Sequence, residues 1–231
     1  MLIGILQTGQ PPPEMESRVG SYPAMIHGAL GPQYSYRQFD VTSGELPDRE
    51  SAADAYVITG SASSVYDAQS WISGLREWLG RADPAAPLVG ICFGHQIMAE
   101  AYGGKVRAAQ GMAVGLQQYE VSGRETWMDD ARSFVIPAFN RDQVISAPAA
   151  AQVTATSDTC PIAALSYMQR RAVSFQGHPE FTLEFTGLAV DRMEQRGLID
   201  AAHAERARAS LRRPHDCARV LAWIRSFLSQ R

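Results

Sequence analysis

The stretch Val89-Gly90-Ile91-Cys92-Phe93-Gly94-His95-Gln96 constrains this chain more than any other. An apolar run ends in a cysteine with glycine at both second neighbours, and Ile97, Met98, Ala101 and Tyr102 then follow at helical spacing. Gly-x-Cys-x-Gly is the thiol form of the nucleophile elbow, a strained strand-to-helix corner that lifts one side chain above a sheet. The pattern predicts a strand ending at Ile91, a helix starting beside Cys92 and a stop at Gly103-Gly104. A cysteine placed there lies at a helix amino terminus, where the dipole and the unpaired first-turn amides favour the reactive thiolate. A cysteine that only fills a core needs neither glycine.

A thiol nucleophile needs a base, and the base needs a group to orient it. Among five histidines, His178 stands out, because it follows the strand-like run Ala172-Val173-Ser174-Phe175 and opens His178-Pro179-Glu180. Proline holds its own φ and bars helix at the residue before it. In extended backbone, residues two apart share a face, so Glu180 falls where its carboxylate can hold the imidazole in one tautomer. His27, His95, His203 and His215 have no such setting.

Together, Gly90 to Gln96 and Gln176-Gly177-His178-Pro179-Glu180 resemble the class I glutamine amidotransferases, Cys-His-Glu domains that release ammonia from glutamine. The resemblance extends, in the family's order, to Leu2-Ile3-Gly4-Ile5-Leu6, Val57-Ile58-Thr59-Gly60-Ser61 and Ala101-Tyr102-Gly103-Gly104-Lys105-Val106, and covers about the first four fifths of the chain. It is similar to the stand-alone forms of the domain, the glutaminase domain of GMP synthase and the γ-glutamyl peptidase branch among them. The resemblance implies Cys92 as nucleophile, His178 as general base and acid, and Glu180 as orienter. It also implies main-chain oxyanion donors at Gly60-Ser61 and Phe93, and substrate contact by Gln96.

Two positions depart from the family pattern. Ser61 stands where a second glycine is common, as in the γ-glutamyl peptidase branch, and a main-chain amide serves equally from either residue. Asn140-Arg141-Asp142-Gln143-Val144 replaces a His-x-Asp-x-Val segment near the family's substrate pocket. Asn140 therefore either changes recognition of the substrate's amino-acid end or belongs to an ordinary surface turn.

Short apolar runs alternate with helical patterns, the rhythm of a parallel sheet covered on both faces. Strands are expected over 2–6, 34–39, 55–59 and 88–91, with a helix over 71–79 whose Trp71, Leu75, Trp78 and Leu79 form one core-facing stripe. Beyond Gly104 the pattern turns β-rich, over 116–121, 144–146, 153–155, 162–165 and 172–175. Helices are expected over 183–195, 201–211 and 217–228, the last capped by Asp216. With the resemblance, this implies a three-layer flavodoxin-like α/β fold, mostly parallel, with helices on both faces and an added antiparallel β layer. One domain over 1–231 with a helical tail over 182–231 is expected. Pro11-Pro12-Pro13 reads as a rigid loop that frames the pocket, meets a partner or simply lies on the surface.

Composition narrows the function classes. A net charge of −3 offers no basic footprint for nucleic acid or an anionic membrane, and the arginines at 206, 208, 212 and 213 read as a solvated helix face. Three cysteines without regular spacing argue against a disulfide scaffold and a zinc site, which leaves Cys160 and Cys217 as structural. No apolar stretch approaches the length of a membrane span, and no basic segment precedes the first apolar run, so a cytoplasmic protein is expected. The sequence holds no Gly-x-x-x-x-Gly-Lys-Ser/Thr loop, and no cofactor is expected.

The expected reaction is hydrolysis of the γ-amide of glutamine through a cysteinyl thioester, with ammonia passed to a separate synthetase. A γ-glutamyl peptide hydrolase is the alternative. A regulatory subunit with a decayed site, or a redox or chaperone protein of the related flavodoxin-like type, is disfavoured because cysteine, histidine and glutamate all stand in their motifs.

Overall fold

The computed structural model describes residues 1–48 and 52–230. The chain begins β1 (Leu2–Gln7), α1 (Pro13–Val19), α2 (Tyr22–Leu30), β2 (Ser35–Asp40), β3 (Ala55–Ile58), α3 (Ser70–Arg81), β4 (Leu88–Ile91) and α4 (Phe93–Ala101). Five strands follow: β5 (Lys105–Val121), β6 (Ser133–Ser146), β7 (Ala151–Ser157), β8 (Cys160–Tyr167) and β9 (Ala172–Phe175). Helices α5 (Leu183–Gln195), α6 (Ala201–Ser210) and α7 (Cys217–Ser229) close the chain. The strands form one sheet in the order β2-β1-β3-β4-β9-β8-β7-β5-β6.

In the parallel half the apolar strands β1, β3, β4 and β9 alternate between two faces, with the largely exposed β2 at the edge. Ile3, Ile5, Ala55, Val57, Val89, Ile91, Val173 and Phe175 point to one side, where α2 and α7 cover them with Ile26, Leu30, Trp223, Ile224 and Phe227. Leu6, Tyr56, Ile58, Leu88 and Ala172 point to the other, against Trp71, Leu75, Trp78 and Leu79 of α3 and Ile97 and Met98 of α4. The three layers follow from this alternation.

From β9 outward, β8, β7, β5 and β6 run antiparallel and extend the same hydrogen-bonded sheet. Strands β5 and β6 are far longer than the runs at 116–121 and 144–146 imply. The first part of β5 is largely exposed and interrupted between Ala108 and Ala113, so it carries no hydrophobic period to read. The sheet curls until β6 meets the parallel half from the far side. Pro137 O accepts from His178 N at 2.7 Å, and Val135 exchanges two hydrogen bonds with Asp216.

Three local expectations need correction. Asp216 sits at the N-cap of α7 but makes no side-chain cap, because its carboxylate accepts from the Val135 amide at 2.9 Å and pairs with Arg219. Pro13 begins a short helix instead of ending a loop, since its fixed φ suits a first helical turn. The arginine face of α6 is only partly solvated: Arg208 is paired with Asp191 and Glu194 of α5, whereas Arg206, Arg212 and Arg213 are exposed. Among the described residues no helix is long and apolar enough to cross a membrane.

Candidate active site

Three adjacent parallel strands, β3, β4 and β9, end at the same edge of the sheet, and the turns leaving them carry the candidate residues. Ile91 pairs with Phe175, so Cys92 leaves β4 beside the point where β9 leads into Gln176, Gly177 and His178. The Cys92 amide donates to Phe175 O at 2.8 Å and ties the two turns together. This pairing brings distant parts of the chain to one place.

At the corner, Cys92 has φ 53° and ψ −102°, and it is the single non-glycine residue with positive φ among the described residues. Its flanking glycines are required by space. A Cβ on Gly90 would stand 2.5 Å from Met98 Sδ and 2.6 Å from the Gly94 carbonyl, and one on Gly94 would stand 2.5 Å from Ile58 O. Strand β4, helix α4 and strand β3 thus meet too closely for any side chain there. Helix α4 starts at Cys92 with no side-chain cap. The Phe93 and Ser61 amides donate to no protein acceptor among the described residues.

His178 is buried, and its Nδ1 lies 2.8 Å from Oε1 of buried Glu180. A carboxylate only accepts, so Nδ1 carries the hydrogen. Burial alone would lower the basicity of this ring, but the Glu180 carboxylate and the Cys92 sulfur outweigh it and raise its pKa to about 10. Among the described residues Nε2, which faces the Cys92 side of the ring, has no partner within hydrogen-bond distance, and neither has Glu180 Oε2. A Cβ on Gly60 would lie 3.0 Å from His178 Cε1 and 3.7 Å from Cys92 Cβ, so Gly60 fits into the space between imidazole and thiol.

The Gly60 turn is held from β1. Thr8 donates its hydroxyl to Thr59 O at 2.9 Å and to Gly60 O at 3.1 Å, and its amide donates to Thr59 Oγ1 at 3.0 Å. Ser61 Oγ accepts from Ser63 N at 3.1 Å, so the hydroxyl is engaged in its own turn while the amide stays free.

Gln96 and Asn140 lie on the other flank. Gln96 is buried and donates Nε2 to Asp142 O at 2.7 Å and to Gln176 Oε1 at 3.2 Å. Asn140 is buried inside β6, its Nδ2 donating to Asp142 O at 3.1 Å, and so it is no surface turn. The Asp142 carboxylate accepts from the hydroxyls of Ser64 and Tyr66.

Several residues of this region carry no expectation from sequence. Gln176 donates Nε2 to Cys92 Sγ at 3.7 Å; it stands in the motif that carries the resemblance, with no role of its own expected there. Phe181 stacks on the His178 ring, centroids 3.9 Å apart and planes 7° from parallel. Tyr22 stacks on Phe181 at 6.0 Å, and burial, then the Cys92 and Glu180 charges, push its hydroxyl above the usual tyrosine range. These are tertiary contacts across α2 and the start of α5, invisible to local spacing. Burial raises both Cys160 and Cys217 to about 12, far from a reactive thiol. Among the described residues no group of three or more His, Cys, Asp or Glu side chains could hold a metal ion. A charged groove between α1 and α5, about 450 Å³ and lined by Glu14, Arg18, Asp191 and Arg192, lies apart from the thiol.

Comparison with known proteins matches residues 27–194 to the family described as glutamine amidotransferase class-I. The chain belongs to this family. It is 31% identical over 202 residues to γ-glutamyl peptidase 2 of Arabidopsis thaliana, covering 84% of this chain and 81% of the relative. It is 28% identical over 167 residues to a glutamine-hydrolysing GMP synthase of Marinobacter nauticus, covering 68% of this chain but 31% of that protein. Among solved structures, a glutamine amidotransferase of Thermotoga maritima superposes with a TM-score of 0.73 at 18% identity, covering 99% of this chain and 98% of the other. The α/β fold expected from sequence is therefore the fold of the class I amidotransferases.

Proposed function

We propose that this amidotransferase hydrolyses the γ-amide of glutamine through a thioester on Cys92, passing ammonia to a separate synthetase. The observation that carries the reading is the Cys92 corner facing a histidine whose Nδ1 is held at 2.8 Å by Glu180 and whose Nε2 has no other partner. Cys92 Sγ attacks the γ-carbonyl carbon as thiolate, its proton already resting on His178 Nε2. The raised basicity of the ring keeps that proton on it. Charge that develops on the carbonyl oxygen is met by the amides of Ser61 and Phe93, which are already oriented and unpaired. His178 then protonates the departing nitrogen, ammonia leaves and a glutamyl thioester remains. Water attacks the thioester while His178 takes a proton from it, and the thiol and glutamate are restored. Glu180 holds the imidazole tautomer throughout.

Gln96 spends both amide hydrogens on protein acceptors, which leaves Oε1 as the atom that meets a donor on the substrate. Asn140 braces the same Asp142 carbonyl and so shapes the substrate's amino-acid end through the backbone. The deep burial of Cys92, 5% exposed, favours a small substrate such as glutamine.

One observation favours a second reading, hydrolysis of γ-glutamyl peptides: the likeness to γ-glutamyl peptidase 2 runs over 81% of that protein. Both readings share the thioester step. The test is glutamate release from glutamine and from a γ-glutamyl dipeptide, with Cys92→Ala as control. Cys92-dependent turnover of glutamine supports the first reading, selective cleavage of the dipeptide selects the second, and turnover unchanged in Cys92→Ala sinks both.

A further inference from the structure

We infer that Gln176 is a second group acting directly on the reacting sulfur: its side-chain amide stabilises Cys92 as thiolate, in an orientation imposed from the Asp142 carbonyl through Gln96. The inference rests on Cys92 being the nucleophile of the proposed reaction.

The argument is one of hydrogen-bond polarity. A main-chain carbonyl only accepts, so the Gln96 side chain, 2.7 Å from Asp142 O, must present its NH2 there. The second hydrogen of that NH2 meets Gln176 at 3.2 Å, so Gln176 must present its oxygen in return. What remains of Gln176 is its own NH2, and it lies 3.7 Å from Cys92 Sγ. Turning Gln96 over would set its oxygen against the Asp142 carbonyl, and turning Gln176 over would set N–H against the Gln96 N–H, inside a region closed to water, since Gln176 is fully buried and Gln96 nearly so. One carbonyl on β6 thereby determines that an N–H, and not a lone pair, faces the thiol.

The sulfur also donates to Phe139 O at 3.8 Å. A thiol satisfies that carbonyl, and a thiolate is repelled by it. The Gln176 N–H has the opposite preference, since a hydrogen bond to a charged acceptor is about twice as strong as one to a neutral acceptor. An amide suits this place because it strengthens with charge on sulfur yet brings no buried charge of its own to compete with His178 for the proton.

The test is the pH dependence of Cys92 alkylation by iodoacetamide, followed by mass spectrometry of the Cys92 peptide in the full chain. Gln176→Met removes the donor, and Gln176→Glu replaces it with a carboxylate of nearly the same shape. Loss of one hydrogen bond to a charged group lowers the alkylation rate at neutral pH by about tenfold and moves the profile to higher pH, with Gln176→Glu shifted at least as far. A purely structural role lowers the melting temperature and leaves the profile in place. Profiles that overlay the wild type in Gln176→Met, or in both variants, overturn the inference. Alkylation needs no substrate, so failure of the wild type to cleave either γ-glutamyl compound would count against the proposed reaction while this result stood.

Discussion

Phe181 lies flat on the imidazole of His178, with ring centroids 3.9 Å apart, and is itself clasped by Phe185 at 4.2 Å. The segment leading into α5 therefore forms one wall of the histidine's site, backed by the helix's first turn, and the ring keeps its plane by contact as well as by its bond to Glu180. Phe181→Leu should cost about 1 kcal/mol of stability and lower kcat severalfold with little change in KM. Steady-state kinetics beside chemical denaturation checks it; a change confined to KM would place Phe181 on the substrate instead.

Removing the carboxylate partner reverses the balance on His178. In the wild type the raised pKa, about 10, means that this group's contribution to stability is complete below about pH 6.5 and is lost as pH rises through 10. In Glu180→Gln, burial acts with less opposition and the ring titrates much lower. The loss of stability from this group between pH 6.5 and 10 should then be much reduced. Ring-proton NMR of His178 reads the titration, and thermal melting across the same interval reads the stability.

His95 gives the opposite sign. It is buried in α4, accepting at Nδ1 from Ser174 at 2.7 Å and facing Ile162 O at 3.1 Å with Nε2. Burial lowers its pKa to about 4 although the Ile162 carbonyl works against the shift. Its contribution to stability is complete above about pH 6.5 and is lost as pH falls through 4, with a slope of at most about 1.4 kcal/mol per pH unit. His95→Gln should flatten the acid limb of a urea-midpoint series. An unchanged acid limb would mean that other groups dominate it.

The elbow predicts a contrast between two glycines. Gly94→Ala forces a Cβ to within 2.5 Å of Ile58 O and should destabilise by about 3 kcal/mol, with loss of activity as the corner opens. Gly111→Ala meets nothing within 4 Å and should change stability by no more than about 0.5 kcal/mol. Denaturation midpoints of the two variants make the comparison.

How much of this was legible in the sequence depended on how local each cause is. The elbow is local, because Gly90 and Gly94 are demanded by atoms a few residues away, and the apolar strands of the parallel half are long enough runs to read directly. The His178-Pro179-Glu180 pairing is local too, but by a turn and not by the extended backbone expected: Pro179 and Glu180 turn, and the Phe181 amide donates to His178 O at 3.3 Å. Asp216 has the residue type of a helix cap, yet a neighbouring strand offered its carboxylate an amide, and nothing in its own segment records that. Asn140 looks like turn chemistry beside Arg141 and Asp142, but β5 pairs with it as a strand. Gln176 meets Cys92 only through the pairing of β4 with β9, and Phe181 and Tyr22 reach the histidine only through the packing of α2 and the entry to α5, so their relation to Cys92 and His178 has no spacing to betray it.

That curl has a colloidal consequence. Strand β6 is the outer edge of the sheet, and the side it turns away from β5 would be free to recruit a strand from another molecule. In this chain that side is occupied: Val135 by Asp216, Pro137 by the His178 amide and Phe139 by the Cys92 thiol. The loops proposed to carry the chemistry also act as the sheet's end-stop. Damage to the His178 turn should therefore uncover a sticky edge as well as disturb the proposed centre, with self-association of such variants as the expected outcome.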